Sequence, residues 1–200
     1  MLAGVSHDLR TPLTRMKLQL SLMEKNKYKN ELENDVNEMT AMLDSYVSFV
    51  KGESPDSIQK INFRDFLNKI CLNFQQKNHE LNLNIKDDII SSGRPLQLKR
   101  SINNIIENSI RYAKKIEVEL SKKEENIIII ISDDGPGIPK EKYEDVFKPF
   151  FTLDPSRNNL KGESGLGMTI ARDIIRSHGG DIKLSRSNLD GLKTIINLPA

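Results

Sequence analysis

The chain has 200 residues, 37% of them hydrophobic and 29% charged, and its formal net charge is +2. This composition is typical of a globular chain long enough for one large domain or two small ones. Lysine and arginine are spread along the chain, which argues against nucleic acid or a membrane surface as a partner. We find no apolar run of the length that crosses a bilayer.

A histidine stands beside an acid near the start of the chain, at His7 and Asp8. An adjacent carboxylate can hold the Nδ1 proton and leave Nε2 with a free lone pair, so His7 is a candidate nucleophile. Thr11 lies four residues on and would share its helical face, and Pro12 predicts a bend just below. A single histidine in this setting is more often solvated or packed, and that alternative stays open.

The wider string His-Asp-Leu-Arg-Thr-Pro-Leu-Thr, residues 7–14, resembles the phosphoacceptor box of sensor histidine kinases, in particular the osmosensor type. Eight residues in order are much more specific than the histidine alone. The resemblance predicts that a phosphoryl-donor site follows in the chain.

Two runs of apolar residues at alternating spacings of four and three predict two helices packed along a seam. The first run comprises Leu9, Leu13, Met16, Leu20 and Met23, and the second comprises Leu32, Val36, Met39, Leu43, Tyr46 and Val50. Polar residues separate the runs, and Gly52 ends the second. Residues 1–53 are therefore predicted to form an antiparallel hairpin that dimerises into a four-helix bundle, with a coiled-coil spacer as the alternative.

A polar linker is predicted at residues 54–60, followed by a second domain at 61–200. Here short strands and amphipathic helices mix without a regular strand-helix-strand repeat, which predicts an α+β sandwich with helices on one face of a mostly antiparallel or mixed sheet. The single cysteine, Cys71, has apolar neighbours and is predicted to be a buried thiol without a function.

A first candidate site segment is the predicted helix over residues 103–112. Asn104 and Asn108 are four residues apart and share a helical face, so their amides can hold a hydrated Mg²⁺ ion and phosphate oxygens. Arg111 can reach a phosphate, and Tyr112 offers a flat surface to a ribose or a base. A solvated polar helix face is the alternative for this segment.

Two glycine-rich segments follow. Asp133 comes after an apolar strand and can accept a hydrogen bond from an exocyclic amine such as that of adenine, while Gly135 and Gly137 let the backbone approach a flat ring. An ordinary tight turn is the alternative. The turn at residues 165–167, Gly-Leu-Gly, opens a helix whose N-terminal amides can bind phosphate, although this motif is weak when taken alone.

In this order and spacing, the three segments resemble the N, G1 and G2 boxes of the histidine kinase ATP-binding domain, and residues 147–151 resemble its F box. The resemblance implies that His7 is the phosphoacceptor, that Asp8 activates it, and that Thr11 orients water when a response regulator is dephosphorylated. It also implies ATP and Mg²⁺ as cofactors. Asn108 would ligate the metal, and the remaining nucleotide contacts would come from Asn104, Arg111, Tyr112, Asp133, Gly135, Gly137, Gly165, Leu166 and Gly167, under a lid at residues 152–164.

Two positions depart from the family's pattern. Glu163 stands where a glycine is frequent, and Thr152 stands where relatives commonly have an arginine after the F box. Either change could slow autophosphorylation while nucleotide binding persists. The sequence therefore predicts a kinase that also dephosphorylates its regulator, with two alternatives: a phosphatase with weak kinase activity, or a non-enzymatic dimeric scaffold.

The resemblance also predicts the partners of the chain. These are a second copy of the chain and the receiver domain of a response regulator, docked at Thr14, Leu18 and Gln19. Few residues precede His7, so we expect a cytoplasmic fragment of an inner-membrane receptor, attached to the membrane through segments outside this sequence.

Overall fold

The computed structural model describes residues 2–24, 26–51, 56–76, 80–153 and 165–200, and within these ranges all side chains except those of residues 2–10, 38, 41, 42 and 44–51. The chain divides into two compact units, one comprising Met1–Ser54 with Lys148–Leu166 and the other Pro55–Phe147 with Gly167–Ala200. We describe each unit by itself.

The first unit contains two long helices, α1 at Leu2–Ser21 and α2 at Lys27–Lys51. Among the described side chains, the core between them consists of Leu13, Leu20 and Val36, with Leu43 partly buried. Helix α1 continues through Pro12 as one uninterrupted helix. None of the described helices has an apolar stretch long enough to cross a bilayer.

Part of the predicted apolar seam faces solvent in the single hairpin. Met16 and Met23 are 44% and 46% exposed, whereas Leu13 and Leu20 are 7% exposed. A partner helix covers only one stripe of its neighbour, so a broad apolar face keeps residues at its border uncovered. The uncovered side chains leave apolar surface available to a second hairpin.

The turn between α1 and α2 is held by side chains that the sequence pattern showed only as a polar break. The Asn26 Oδ1 atom accepts a 2.7 Å hydrogen bond from the Lys29 amide and so caps the start of α2. The Lys29 ammonium, with the side chain largely buried, donates to the Met23 carbonyl at 2.8 Å and lies 3.6 Å from the Glu33 carboxylate. The ammonium charge is thereby paired at the end of the hairpin.

The second unit is an α+β sandwich, as predicted. Its helices are α3 at Phe63–Gln75, α4 at Pro95–Tyr112 and α5 at Gly167–Ser177. Its strands are β1 at Gln59–Asn62, β2 at Glu80–Ile85, β3 at Ile90–Gly93, β4 at Lys115–Lys123, β5 at Asn126–Asp133, β6 at Asp181–Arg186 and β7 at Leu192–Pro199. Two short 3₁₀ turns, Lys140–Lys142 and Asp145–Phe147, lie between β5 and α5.

Five strands form one mixed sheet in the order β2-β4-β5-β7-β6, in which β2 runs parallel to β4 and the other pairs are antiparallel. Alternate residues of β5, Ile127, Ile129 and Ile131, are at most 1% exposed. Since successive strand side chains point to opposite faces, this alternation places one face of the sheet against the helices. The apolar face of α4 is buried with it.

Strand β3 was absent from the sequence interpretation. It pairs with β1 in a separate two-stranded antiparallel sheet, with Gln59 opposite Gly93. Strand β1 begins inside the predicted linker, and the carboxylate of Asp56 accepts a 2.9 Å hydrogen bond from the amide of Gln97 in the first turn of α4. The pairing of β1 and the hydrogen bond of Asp56 both depend on partners far away in sequence. The local composition of residues 54–60 therefore resembled that of a linker.

Cys71 is 2% exposed on α3, and burial raises the pKa of its thiol to about 12. Because the thiolate is the reactive form, we expect negligible reaction with Ellman's reagent at pH 8 in the folded protein. One equivalent should react once denaturant is added, as measured by absorbance. Rapid reaction without denaturant would show that the thiol is accessible and would contradict the assignment of Cys71 to the core.

Candidate active site

The last residue of β5, Asp133, is 4% exposed, and its carboxylate is held by three protein donors. Oδ2 accepts a 2.9 Å hydrogen bond from the hydroxyl of Ser109 on α4. Oδ1 accepts from the amides of Gly135 and Leu192, each at 3.0 Å. A carboxylate offers about four lone pairs, so roughly one acceptor position, on Oδ2, stays open to a ligand.

Glycines allow the backbone to close around this carboxylate. A Cβ atom on Gly191 would overlap both Oδ1 and the carbonyl oxygen of Asp133. A Cβ atom on Gly135 would lie 3.1 Å from the same Oδ1 and 3.2 Å from the Tyr112 carbonyl oxygen. Gly137 has a φ of +70°, a conformation that favours glycine, and its Cβ position faces the carbonyl of Gly191.

The neighbouring acid, Asp134, is exposed and serves the backbone instead. Its Oδ1 atom accepts hydrogen bonds from the amides of Lys114 and Lys115, at 2.8 and 2.9 Å. The bond from Lys115, followed by that from Lys114, lowers the pKa of this carboxyl. Asp134 therefore joins the start of β4 to the end of β5 beside the buried Asp133.

The predicted polar face of α4 lies next to the start of α5. Asn104 is half-buried, and its Nδ2 atom donates a 3.1 Å hydrogen bond to the carbonyl of Gly167, the first residue of α5. Asn108, one turn on, is also half-buried, and no hydrogen bond to its side chain is found within the described part of the chain. Arg111 is half-buried and Tyr112 is 41% exposed.

The amide oxygen of Asn108 fits the needs of Mg²⁺, because this ion takes oxygen ligands and keeps several waters. One protein oxygen together with triphosphate oxygens would suffice. No group of three or more acidic, histidine or cysteine side chains that could form an all-protein metal cage is found among the described residues.

The turn before α5 has a backbone conformation and a close backbone contact that require glycine at position 165. Gly165 has a φ of +62°, and a Cβ atom there would lie 2.8 Å from Phe150 backbone atoms. Its carbonyl accepts a 3.1 Å hydrogen bond from the amide of Phe150. Leu166 is buried, and α5 begins at Gly167. Thr152 is half-buried, while Glu163 and most of the predicted lid lie outside the described residues.

His7 and Asp8 lie in α1, but their side chains are outside the described part of the chain. Thr11 follows one turn later and is exposed. Thr14 and Gln19 are exposed, and Leu18 is 63% exposed, so none of the three belongs to the core of the single hairpin. The predicted docking surface is thus accessible on the hairpin taken alone.

His178 follows the last residue of α5 and has structural partners. Its Nδ1 atom lies 2.7 Å from the carbonyl of Ile174, and its Nε2 atom accepts a 3.1 Å hydrogen bond from the amide of Arg94. Burial, with a contribution from the nearby Arg94 charge, lowers the pKa of the imidazole. The ring joins the end of α5 to the start of α4.

Sequence reasoning selected Asp133 but missed the residues that hold it: Ser109, Gly191 and Leu192. Ser109 is a small polar residue at an otherwise buried helix position, which was the one available signal. Leu192 acts through its backbone amide, so its side chain carried no information about this contact.

Comparison with known families agrees with this geometry. The sequence model of the histidine kinase-, DNA gyrase B- and HSP90-like ATPases matches residues 93–200. The chain belongs to this ATPase family. The His Kinase A (phospho-acceptor) domain matches residues 1–55, so the chain combines the phosphoacceptor and ATP-binding domains of a two-component sensor histidine kinase. This result confirms the resemblance seen in the sequence.

Sensor histidine kinases are also its relatives. The sensor histidine kinase GtrS of Pseudomonas aeruginosa is 29% identical over 98% of this chain, which covers 41% of that protein. The sensor histidine kinase CpxA of Escherichia coli strain K12 is 29% identical over 100% of the chain, which covers 46% of that protein. The chain thus spans less than half the length of these two relatives.

Solved structures share the fold. Full-length ShkA in complex with AMPPNP has a TM-score of 0.73 at 18% identity, over 99% of this chain and 45% of that chain. The Acinetobacter baumannii histidine kinase AdeS has a TM-score of 0.64 at 21% identity, over 96% of this chain and 97% of that one. A helical hairpin followed by an α/β sandwich is therefore an architecture that this chain shares with sensor kinases.

The open lone pair of Asp133 can be tested by Asp133→Asn. The amide oxygen can still accept from the Gly135 and Leu192 amides, while its NH₂ group meets the Ser109 hydroxyl, which can turn to accept. The fold should survive. ATP affinity should fall roughly 10- to 100-fold, because the group left facing the adenine amine is now a donor.

Calorimetric titration with ATP and thermal unfolding measure the two effects. Asp134→Asn is the matched control, since it removes an adjacent charge while its single oxygen retains both backbone hydrogen bonds. The control should change ATP affinity less than about twofold. Equal losses in both variants would mean that charge near the turn matters and that the lone pair of Asp133 does not.

Proposed function

We propose that this chain is the core of an ATP-dependent protein-histidine kinase. It phosphorylates His7 from ATP, passes the phosphoryl group to an aspartate of a response regulator, and also dephosphorylates that regulator. The supporting observation is that a phosphoacceptor domain and an ATP-binding domain occur on one chain, in the order found in sensor kinases.

The nucleotide is held by the groups around Asp133. The adenine amine donates to the open lone pair of Oδ2, and the ring lies against the backbone at Gly135 and Gly137. Tyr112 and Arg111 lie at the end of α4, where they reach the sugar and a phosphate. The amides at the start of α5, beginning at Gly167, bind the phosphates at the positive end of the helix dipole, together with the preceding Gly165 and Leu166.

Asn104 and Asn108 complete the phosphate end of this site. Asn104 fixes the start of α5 through its bond to Gly167, and the Asn108 amide oxygen would ligate Mg²⁺. The ion, when bound with ATP, neutralises charge on the phosphates during transfer. Asn108 is well placed for this role because the protein leaves its amide without a hydrogen bond in the described part of the chain.

In the transfer step, Nε2 of His7 attacks the γ-phosphorus of ATP. A phosphorus–nitrogen bond forms, the bond between the γ-phosphorus and its bridging oxygen breaks, and ADP leaves with the electron pair. Asp8 holds the Nδ1 proton and stabilises the positive character that the ring acquires. In the phosphatase reaction, the Thr11 hydroxyl orients the water that hydrolyses the phosphorylated regulator.

The partners of this core are a second copy of the chain and a response regulator. The uncovered apolar side chains of the hairpin, including Met16 and Met23, supply surface for dimerisation. The regulator docks on α1 at Thr14, Leu18 and Gln19, below the histidine that it must reach. ATP and response regulators are cytoplasmic, so we place this core on the cytoplasmic side of an inner-membrane receptor.

Two other functions fit some of the observations. A regulator phosphatase with weak kinase activity is favoured by Glu163 and Thr152, whose positions lack the glycine and the cation described above. A non-enzymatic dimeric scaffold would keep the hairpin without nucleotide turnover, but the buried acid with an open lone pair at Asp133 argues for a working site.

Incubation with γ-labelled ATP separates the three functions. A kinase should acquire acid-labile, alkali-stable label in the wild type and none in His7→Gln, because the nucleophile is removed. ATP binding without label would support the phosphatase, and a wild type that fails to bind ATP would support the scaffold.

Asn108→Ala should lose magnesium-dependent ATP binding with an unchanged circular dichroism spectrum, since no core cavity is opened.

Asp8 and Thr11 should affect opposite activities. Asp8→Asn should slow autophosphorylation by roughly 10²-fold or more, because the amide no longer stabilises the imidazole as it gains charge. Thr11→Ala should leave autophosphorylation largely intact and impair dephosphorylation of the regulator. Both rates can be followed with labelled protein, and similar losses of both activities in both variants would mean that the two residues merely support the helix.

A further inference from the structure

An arginine outside the nucleotide site, Arg172 on α5, makes four contacts at once. Its guanidinium forms a two-pronged pair with the Glu144 carboxylate, at 2.7 and 3.4 Å. Its Nε atom donates to the Asp181 carboxylate at 3.1 Å, and its Cζ atom lies 4.3 Å from the centroid of the Phe147 ring. The side chain is only 12% exposed, so these partners largely enclose it.

The planar guanidinium is the group that can serve all these partners. A two-pronged bond to a carboxylate and stacking on an aromatic face both depend on its flat, delocalised shape. A lysine ammonium at the same position would pair with one carboxylate and would lose both the second carboxylate and the stacking on the Phe147 ring. The contacts therefore fix the position of Phe147 relative to α5.

Phe147 is held on its backbone as well. Its carbonyl accepts a 3.0 Å hydrogen bond from the hydroxyl of Thr169, a buried residue in the first turn of α5. Phe147 therefore has its ring beneath Arg172 and its carbonyl bonded to Thr169, so two residues of one helix hold it.

The chain leaves this anchor and returns to the same helix. Three residues after Phe147, the amide of Phe150 donates to the carbonyl of Gly165, two residues before α5 begins. A connection can thus be followed from Arg172 through Phe147 and Phe150 to the glycine-rich turn. Asn104 holds the other end of that turn at Gly167.

We propose that Arg172 is a positioning residue for the nucleotide phosphates. It acts on the Gly165–Gly167 turn through Phe147 and the Phe150–Gly165 hydrogen bond, without touching the nucleotide. This inference rests on the proposed nucleotide site. The adenine ring depends on other residues, namely Asp133 and the groups on α4 and β7 that donate hydrogen bonds to it. The two ends of the nucleotide are therefore positioned by different parts of the protein.

The test compares ligands with and without phosphates. Arg172→Gln should weaken binding of Mg·ATP and ADP by roughly tenfold, about the effect of losing one hydrogen bond to a charged group. Adenosine affinity should change less than about twofold, because the groups around Asp133 stay in place. Calorimetry measures the nucleotides, an NMR titration measures adenosine, and thermal unfolding reports stability.

Arg176→Gln is the matched control. Arg176 lies one turn further along α5 and bonds the same Asp181 oxygen at 3.1 Å, but within the described part of the chain it makes no ion pair with Glu144 and no ring contact with Phe147, and it is 52% exposed. Its replacement should leave ATP, ADP and adenosine binding within about twofold of the wild type. An equal effect of both variants would assign the loss to the Asp181 ion pair and overturn the proposal.

Glu144→Gln provides a second variant in case Arg172→Gln does not fold. Its side chain is 78% exposed, so little folding energy depends on it, yet it removes the charge of the two-pronged pair. It should reproduce the selective loss of ATP and ADP binding with a smaller amplitude. Loss of adenosine affinity in the same proportion as ATP, or no change for either, would refute the role of Arg172. A wild type that binds no ATP would instead refute the proposed function.

Discussion

The buried carboxylate of Asp133 is the constraint on which the second unit depends. A charge with 4% exposure is costly unless protein donors replace water, and here α4, the loop after β5, and β7 each supply one. The amide of Gly191 adds a backbone bond to the Asp133 carbonyl at 3.1 Å. Satisfying one acid thus joins three separate segments of the second unit.

The packing of α4 against α5 completes the arrangement begun at Asp133. The Ser101 hydroxyl, fully buried, donates to the Ala171 carbonyl at 3.1 Å, and Asn104 donates to Gly167 one turn further along α4. Polar bonds in an otherwise apolar contact specify one alignment of the two helices. That alignment sets the polar face of α4 beside the N-terminus of α5.

The first unit has a different character. Its described core is small, consisting of Leu13, Leu20 and Val36, and several large apolar side chains on both helices remain exposed. Such a hairpin buries little apolar surface by itself, and this favours a second copy as its stabilising partner. The polar turn, with the Lys29 ammonium bonded to the end of α1, determines where the two helices reverse direction.

The sequence by itself determined the features that follow from the local spacing of apolar residues or from the order of short motifs. Helical spacing placed α1, α2 and α4, an unbroken apolar run indicated the strand that leads to Asp133, and the motif order indicated the sensor kinase family, which the family comparison confirms. The roles of His7 and the other site residues stay predictions. What only the tertiary structure decided are contacts between residues far apart in sequence: β3 beside β1, the Asp56 cap on α4, the donors to Asp133, and the contacts of Arg172. Each joins segments through space, and neither a periodic pattern nor a local propensity records which distant partner a polar group will find.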